Sequence, residues 1–81
     1  MTTTTTTTIV FKQNPKHATS CIQWYGYIND KKVCYLLFDE LWELIDIESG
    51  QGLGTRETLN GQYGVARLAL KHYNADEIES A

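Results

Sequence analysis

Residues 21–38 read Cys21-Ile22-Gln23-Trp24-Tyr25-Gly26-Tyr27-Ile28, then Asn29-Asp30-Lys31-Lys32, then Val33-Cys34-Tyr35-Leu36-Leu37-Phe38. Two runs rich in β-branched and aromatic residues flank a turn signal, the pattern of a β-hairpin. An even-length turn sets Ile28, Gly26, Trp24 and Ile22 opposite Val33, Tyr35 and Leu37 on one face. Tyr27, Tyr25, Gln23 and Cys21 then share the other face with Cys34, Leu36 and Phe38. Neither face is polar. One face builds the core, and the second needs a cover that a short chain has little material to supply.

Outward from the hairpin, the turn at Asn14-Pro15-Lys16 precedes it and a first strand is expected over residues 8–12. The hairpin strands are expected over 18–28 and 32–38. Residues 42–47 read as a fourth strand, with a short helix as the alternative because Glu and Leu favour helices. Ser49-Gly50-Gln51-Gly52-Leu53-Gly54 reads as a flexible connector. Leu59, Tyr63, Ala66, Leu70 and Tyr73 recur at steps of four and three, with Val65 and Ala69 beside them, and make one helical stripe. Thr58 or Asn60 can cap its start and Asn74 can stop it. Arg67, Lys71 and His72 lie toward its C-terminal end, where the dipole favours cations. Gly61, Gly64, Ala66 and Ala69 allow a close approach to a sheet. The expected fold is α+β: a three- to four-stranded antiparallel meander with one C-terminal helix packed on one face. Its core is expected to contain Ile22, Trp24, Ile28, Val33, Tyr35, Leu37, Leu59, Ala66 and Leu70. Residues 1–8, with Thr2 to Thr8 in an unbroken run, read as a flexible N-terminus; 9–75 as the domain; 76–81 as an acidic tail.

With 81 residues, 42% of them hydrophobic, and nine aromatics (two Trp, five Tyr, two Phe), the chain suits one small folded domain. The formal charge of −3 is concentrated in Asp76, Glu77 and Glu79, since the remaining basic and acidic groups balance. A neutral body with an acidic end is a poor match for a phosphate backbone or an anionic membrane. No apolar stretch approaches the ~20 residues of a membrane span, and no secretory leader is visible at the N-terminus. A cytoplasmic location is expected. In the register above, Cys21 and Cys34 lie about four residues apart along the strands, ~13 Å at the usual rise. A disulfide needs Cα atoms within ~7 Å, so both read as free, partly buried thiols.

Chemistry is sparse. The spacing of Gly50, Gly52 and Gly54 matches neither a phosphate loop nor a dinucleotide fingerprint. Asp39, Glu40, Glu43, Asp46 and Glu48 lack the convergent spacing of a hard-cation loop and read as a solvated face or a patch for a basic partner. His17 and Cys21 are four apart, but no second ligand pair follows, so no metal is expected. Neither cysteine has a histidine on its own hairpin face, and no enzymatic activity and no cofactor are expected. The aromatic sheet remains. Tyr25, Tyr27, Leu36 and Phe38, guided by Glu40 and Glu43, are the expected partner-binding residues, because Tyr and other aromatics bury much area at little entropic cost. The same rings could stack single-stranded nucleic acid, with Lys12, Lys31 and Lys32 nearby, or join two copies of the chain.

The order Trp24-Tyr25-Gly26-Tyr27-Ile28-Asn29-Asp30-Lys31, a later Trp42 and a closing helix with Ala66 and Ala69 resembles small proteins of bacteriophages and other mobile elements. The resemblance covers about residues 20–75. It implies a contact inhibitor of one host protein, anti-CRISPR proteins among them, and a host-cell cytoplasmic location. The integrase arm-type DNA-binding domain has a related strand-strand-strand-helix plan, but its strands are basic and these are not.

Overall fold

A computed structural model describes the backbone at residues 5–56 and 61–80, and the side chains at 5–55 and 64–80. The elements run β1 (Thr8–Gln13), β2 (Ile22–Ile28), β3 (Lys31–Asp39), β4 (Leu41–Asp46), β5 (Gly52–Arg56), α1 (Gly61–His72) and β6 (Glu77–Ser80). The fold is α+β, as expected, with one helix on one sheet. The sheet is larger than a meander of three or four strands, however, and it is mixed. Six strands lie in the order β5-β4-β3-β2-β1-β6. All pairings are antiparallel except β1 with β6, which is parallel.

Both extra strands sit where the sequence is poorest in strand formers. The stretch read as a glycine connector supplies β5, whose backbone pairs with β4. The stretch read as an acidic tail supplies β6, because Ile78 lies beside Ile9 and packs on the core. Thr7 joins this edge: its amide donates to the Asp76 carboxylate at 2.9 Å, and its carbonyl accepts from the Asp76 amide at 2.8 Å. Backbone pairing with this edge therefore starts at Thr7, and residues 1–4 lie outside the described residues. The fourth strand forms as expected, so the helical alternative for that segment does not occur.

The hairpin register differs from the expected one by one residue. Asn29 and Asp30 both take positive φ (51° and 64°), which makes the turn two residues long. Ile28 and Tyr27 then pair with Lys31 and Lys32, but Gly26 pairs with Cys34, leaving Val33 as an extra residue on β3. A bulge of this kind shifts the register, and in a strand a one-residue shift exchanges the two faces. Cys34 and Leu36 therefore join Gly26 and Trp24 on the helix side. Tyr35 and Leu37 move to the opposite side with Tyr25, whose ring meets Tyr35 edge-on at 6.4 Å.

The core follows from this exchange. It contains Ile9, Phe11, Cys34, Leu36, Leu44, Val65, Ala66 and Ala69. Of the expected core, Ala66 is buried, and Trp24, Ile28, Val33 and Leu70 pack half-buried against it. Ile22, Tyr35 and Leu37 are half-buried outside it, and Leu59 lies outside the described residues. Leu36→Ala should cost roughly 2–5 kcal/mol, because a fully buried leucine leaves a cavity. A melting curve coincident with wild type would show that Leu36 is not under the helix.

The helix is about 18 Å long for its twelve residues, against ~24 Å for the five gaps between six strands. It lies mainly over β4 and β5 and reaches β3 and β6. Its buried face is made of small residues, Gly64, Val65, Ala66 and Ala69, which bring its axis close to the sheet. Asn74 ends it as expected: at φ 52° it lets the Ala75 amide donate to the Leu70 carbonyl at 2.9 Å, the Schellman arrangement. Thr58 and Asn60, the expected caps, and the Tyr63 side chain lie outside the described residues.

Candidate contact surface

The face away from the helix carries Val10, Tyr25, Tyr27, Tyr35, Leu37 and Ile45, all half-buried. Their order follows from the ladder: Val10 beside Tyr27, Lys12 beside Tyr25, Tyr25 beside Tyr35, Tyr35 beside Ile45. The Lys32 ammonium lies 3.9 Å from the Tyr25 ring centroid, and that of Lys12 lies 5.0 Å from the Tyr27 centroid. Such contacts hold a ring in place and shade part of it from water. Apart from the sheet itself, the one described element that packs on these strands is α1, on the other side.

Strand alternation places further charges here. Asp39 follows Tyr35 and Leu37 on β3, and Glu43 precedes Ile45 on β4. Glu77 and Glu79 pair with Thr8 and Val10. Four carboxylates thus stand around the face against the two ammonium groups over its rings. This balance could not be read before β6 was known to be a strand, since two of the four belong to the stretch read as a tail.

The six expected contact residues do not form one surface. Tyr25, Tyr27 and Glu43 share the open face. Leu36 is 2% exposed beneath the helix and is unavailable to a partner. Phe38 is on the helix side, packed on Trp42 with ring centroids 4.8 Å apart. Glu40 occupies the β3–β4 turn at φ 73°. Glu40→Gly should raise stability by about 1 kcal/mol, since an L-residue at such a φ is strained. An unchanged or lower melting temperature would mean that the glutamate side chain offsets the strain. Sequence reasoning missed Tyr35 and Leu37 because the β3 bulge reverses their side.

The groups with shifted acidity lie elsewhere and serve the fold. Asp46 is 8% exposed at the end of β4. Its Oδ2 accepts the Ser49 amide at 2.9 Å and the Ser49 hydroxyl at 2.8 Å, while Oδ1 accepts the Tyr73 hydroxyl. Tyr73 Oη also lies 3.0 Å from the Val33 carbonyl. The Tyr73 hydroxyl, followed by the two Ser49 donors, holds the Asp46 carboxyl below its ordinary value. Burial, then the Asp46 hydrogen bond, pushes the Tyr73 hydroxyl upward. An open groove of about 480 Å³ beside this cluster is lined by Lys31, Lys32, Ile47 and Glu48, but both Asp46 oxygens are already engaged within the chain. Burial pushes the Cys34 thiol up to about 12, which removes it as a nucleophile near neutral pH. Cys21 is exposed, and both cysteines are free. Gly52 and Gly54 lie in a strand, not in a loop that could cradle a phosphate. Among the described residues no helix is long and apolar enough to cross a membrane.

No protein-family model matches the chain, and no curated protein or solved structure shows significant similarity to it.

Proposed function

We propose that this is a small non-catalytic binding protein that works in the cytoplasm by contact with another protein, in the manner of the phage-type inhibitors its hairpin resembles. The observation that carries this reading is the helix-free sheet face, where Tyr25, Tyr27, Tyr35, Leu37 and Ile45 lie under no other described element. Aromatic residues of this kind dominate the centres of protein interfaces. The surrounding carboxylates Asp39, Glu43, Glu77 and Glu79 favour a partner with a basic rim and oppose a polyanion.

A second reading, single-stranded nucleic acid, has one observation in its favour: Lys12 and Lys32 lie over Tyr27 and Tyr25, where a stacked base and its phosphate would find both contacts. Titration of the protein with short labelled oligonucleotides at low and moderate salt separates the two. The expected result is no saturable binding at moderate salt. Salt-sensitive binding lost in Tyr25→Ala/Tyr27→Ala would replace the protein-contact reading with the nucleic-acid one. Light scattering over a concentration series tests whether the partner is a second copy. Mass rising toward a dimer, and returning to a monomer in Tyr35→Ser, would identify it as one.

A further inference from the structure

Among the large apolar side chains, Phe38 is 44% exposed and Leu41 is 40% exposed, and the two flank Glu40 at the β3–β4 turn. Cross-strand pairing runs Phe38 with Trp42 and Asp39 with Leu41, so the strands stay joined to the very tip. The Phe38 and Trp42 rings pack at 4.8 Å with planes at 41°, which fixes both on the helix side of the sheet. By alternation Leu41 stands on the other side, with Asp39 and Glu43. From Val33 to Thr55 the chain contains no lysine or arginine. The tip is therefore an apolar wedge whose own two strands carry nearby carboxylates at Asp39, Glu40 and Glu43, with one cationic residue, Arg56 of β5, paired beside Trp42.

We propose that this tip is an insertion element that enters an apolar socket rimmed by lysine or arginine on a partner protein. The rings are pre-positioned by the ladder, so little ordering is lost on docking. Aromatic anchors seated in a pocket carry most of the energy of such contacts, and Asp39 and Glu40 match a basic rim. An anionic membrane or a nucleic acid would be repelled by the same carboxylates, which outnumber the one arginine beside Trp42. The two aromatic anchors, Phe38 and Trp42, lie on the side of the sheet opposite the open face, although Leu41 and Asp39 of the tip border that face.

The test uses a labelled amphipathic helical peptide of leucine and lysine as the model socket, its leucine–glutamate counterpart as control, and fluorescence anisotropy as the readout. The leucine–lysine peptide should bind with salt-sensitive affinity, and the leucine–glutamate peptide should not. Phe38→Ser should weaken binding by about tenfold or more, as loss of an interface anchor does. Glu40→Lys should also weaken it and flatten its salt dependence, while Thr19→Ala in the exposed β1–β2 connection should leave it unchanged. Thermal melts confirm that each variant is folded, and Glu40→Lys, a surface change, keeps the test decisive should Phe38→Ser melt early. Three results would overturn the proposal: no binding of the leucine–lysine peptide, equal binding of both peptides, or binding lost in Tyr25→Ser but kept in Phe38→Ser and Glu40→Lys. The last would move the contact to the open face, and absence of binding at the tip leaves the open-face reading standing.

Discussion

Gly26→Ala should lower the melting temperature by about 10 °C. A Cβ at this position would stand 2.5 Å from the Cys34 sulfur, 3.0 Å from the Phe11 ring and 3.4 Å from Ile9. All three neighbours are buried, so none can swing into solvent. Overpacking a filled core costs roughly 1–3 kcal/mol, and each kcal/mol shifts a domain of this size by about 4–8 °C. The cause is specific enough to be reversed. Cys34→Ala removes the nearest atom, so the double variant Gly26→Ala/Cys34→Ala should recover most of the loss relative to Gly26→Ala, with a favourable coupling that a double-mutant cycle measures. If Gly26→Ala melts with wild type, Gly26 does not face Cys34 and the bulged register is wrong. Under the register expected from sequence, Gly26 opposes Val33 with Cys34 on the other face, and the two variants would not couple.

The second large effect concerns Asp46. Asp46→Ala should cost about 3 kcal/mol at neutral pH, because it removes a charged acceptor shared by three donors and leaves the Tyr73 hydroxyl with the Val33 carbonyl alone. The cluster joins the end of β4, the turn at Ser49, β3 and the residue after α1, so its loss loosens the helix as well as the turn. The pH dependence has a definite sign. The folded carboxyl is more acidic than its ordinary value of 3.8, so its contribution is complete above that value and is lost as pH falls through the lower folded one. Wild type should therefore destabilise in acid more steeply than Asp46→Asn. Denaturant midpoints from pH 7 to pH 2 measure this, and parallel profiles for the two proteins would show that Asp46 is not the linked group. Tyr73→Phe should cost less, about 1–2 kcal/mol, since both Ser49 donors remain.

The class of fold was readable because its strongest signals are local. The alternation around Trp24 and Tyr27, the turn residues Asn29 and Asp30, and the spacing that ends at Asn74 each depend on neighbours within one or two turns of chain. The two edge strands were not readable. Gly52-Leu53-Gly54 has little preference for a strand, and it pairs because Gly54 leaves room for Leu68: a Cβ there would collide with the Leu68 side chain. Glu77-Ile78-Glu79 pairs because Thr7 and Ile9, some seventy residues earlier, present an unpaired edge and an apolar neighbour. The candidate surface was half readable for the same reason. Tyr25 and Tyr27 follow from alternation along β2, whereas the side taken by Leu36 and Phe38 depends on one extra residue at Val33.

Composition and periodicity alone settle that this chain makes an α+β domain with a two-sided apolar hairpin and a single helix, because burial demands follow side-chain type and spacing. Which side of β3 meets the helix, and the two strands that widen the sheet, arise only when the assembled sheet and helix compete for the same interior volume. A one-residue shift costs little in the isolated hairpin but exchanges Leu36 for Leu37 beneath the helix, and only the packed structure can choose between them.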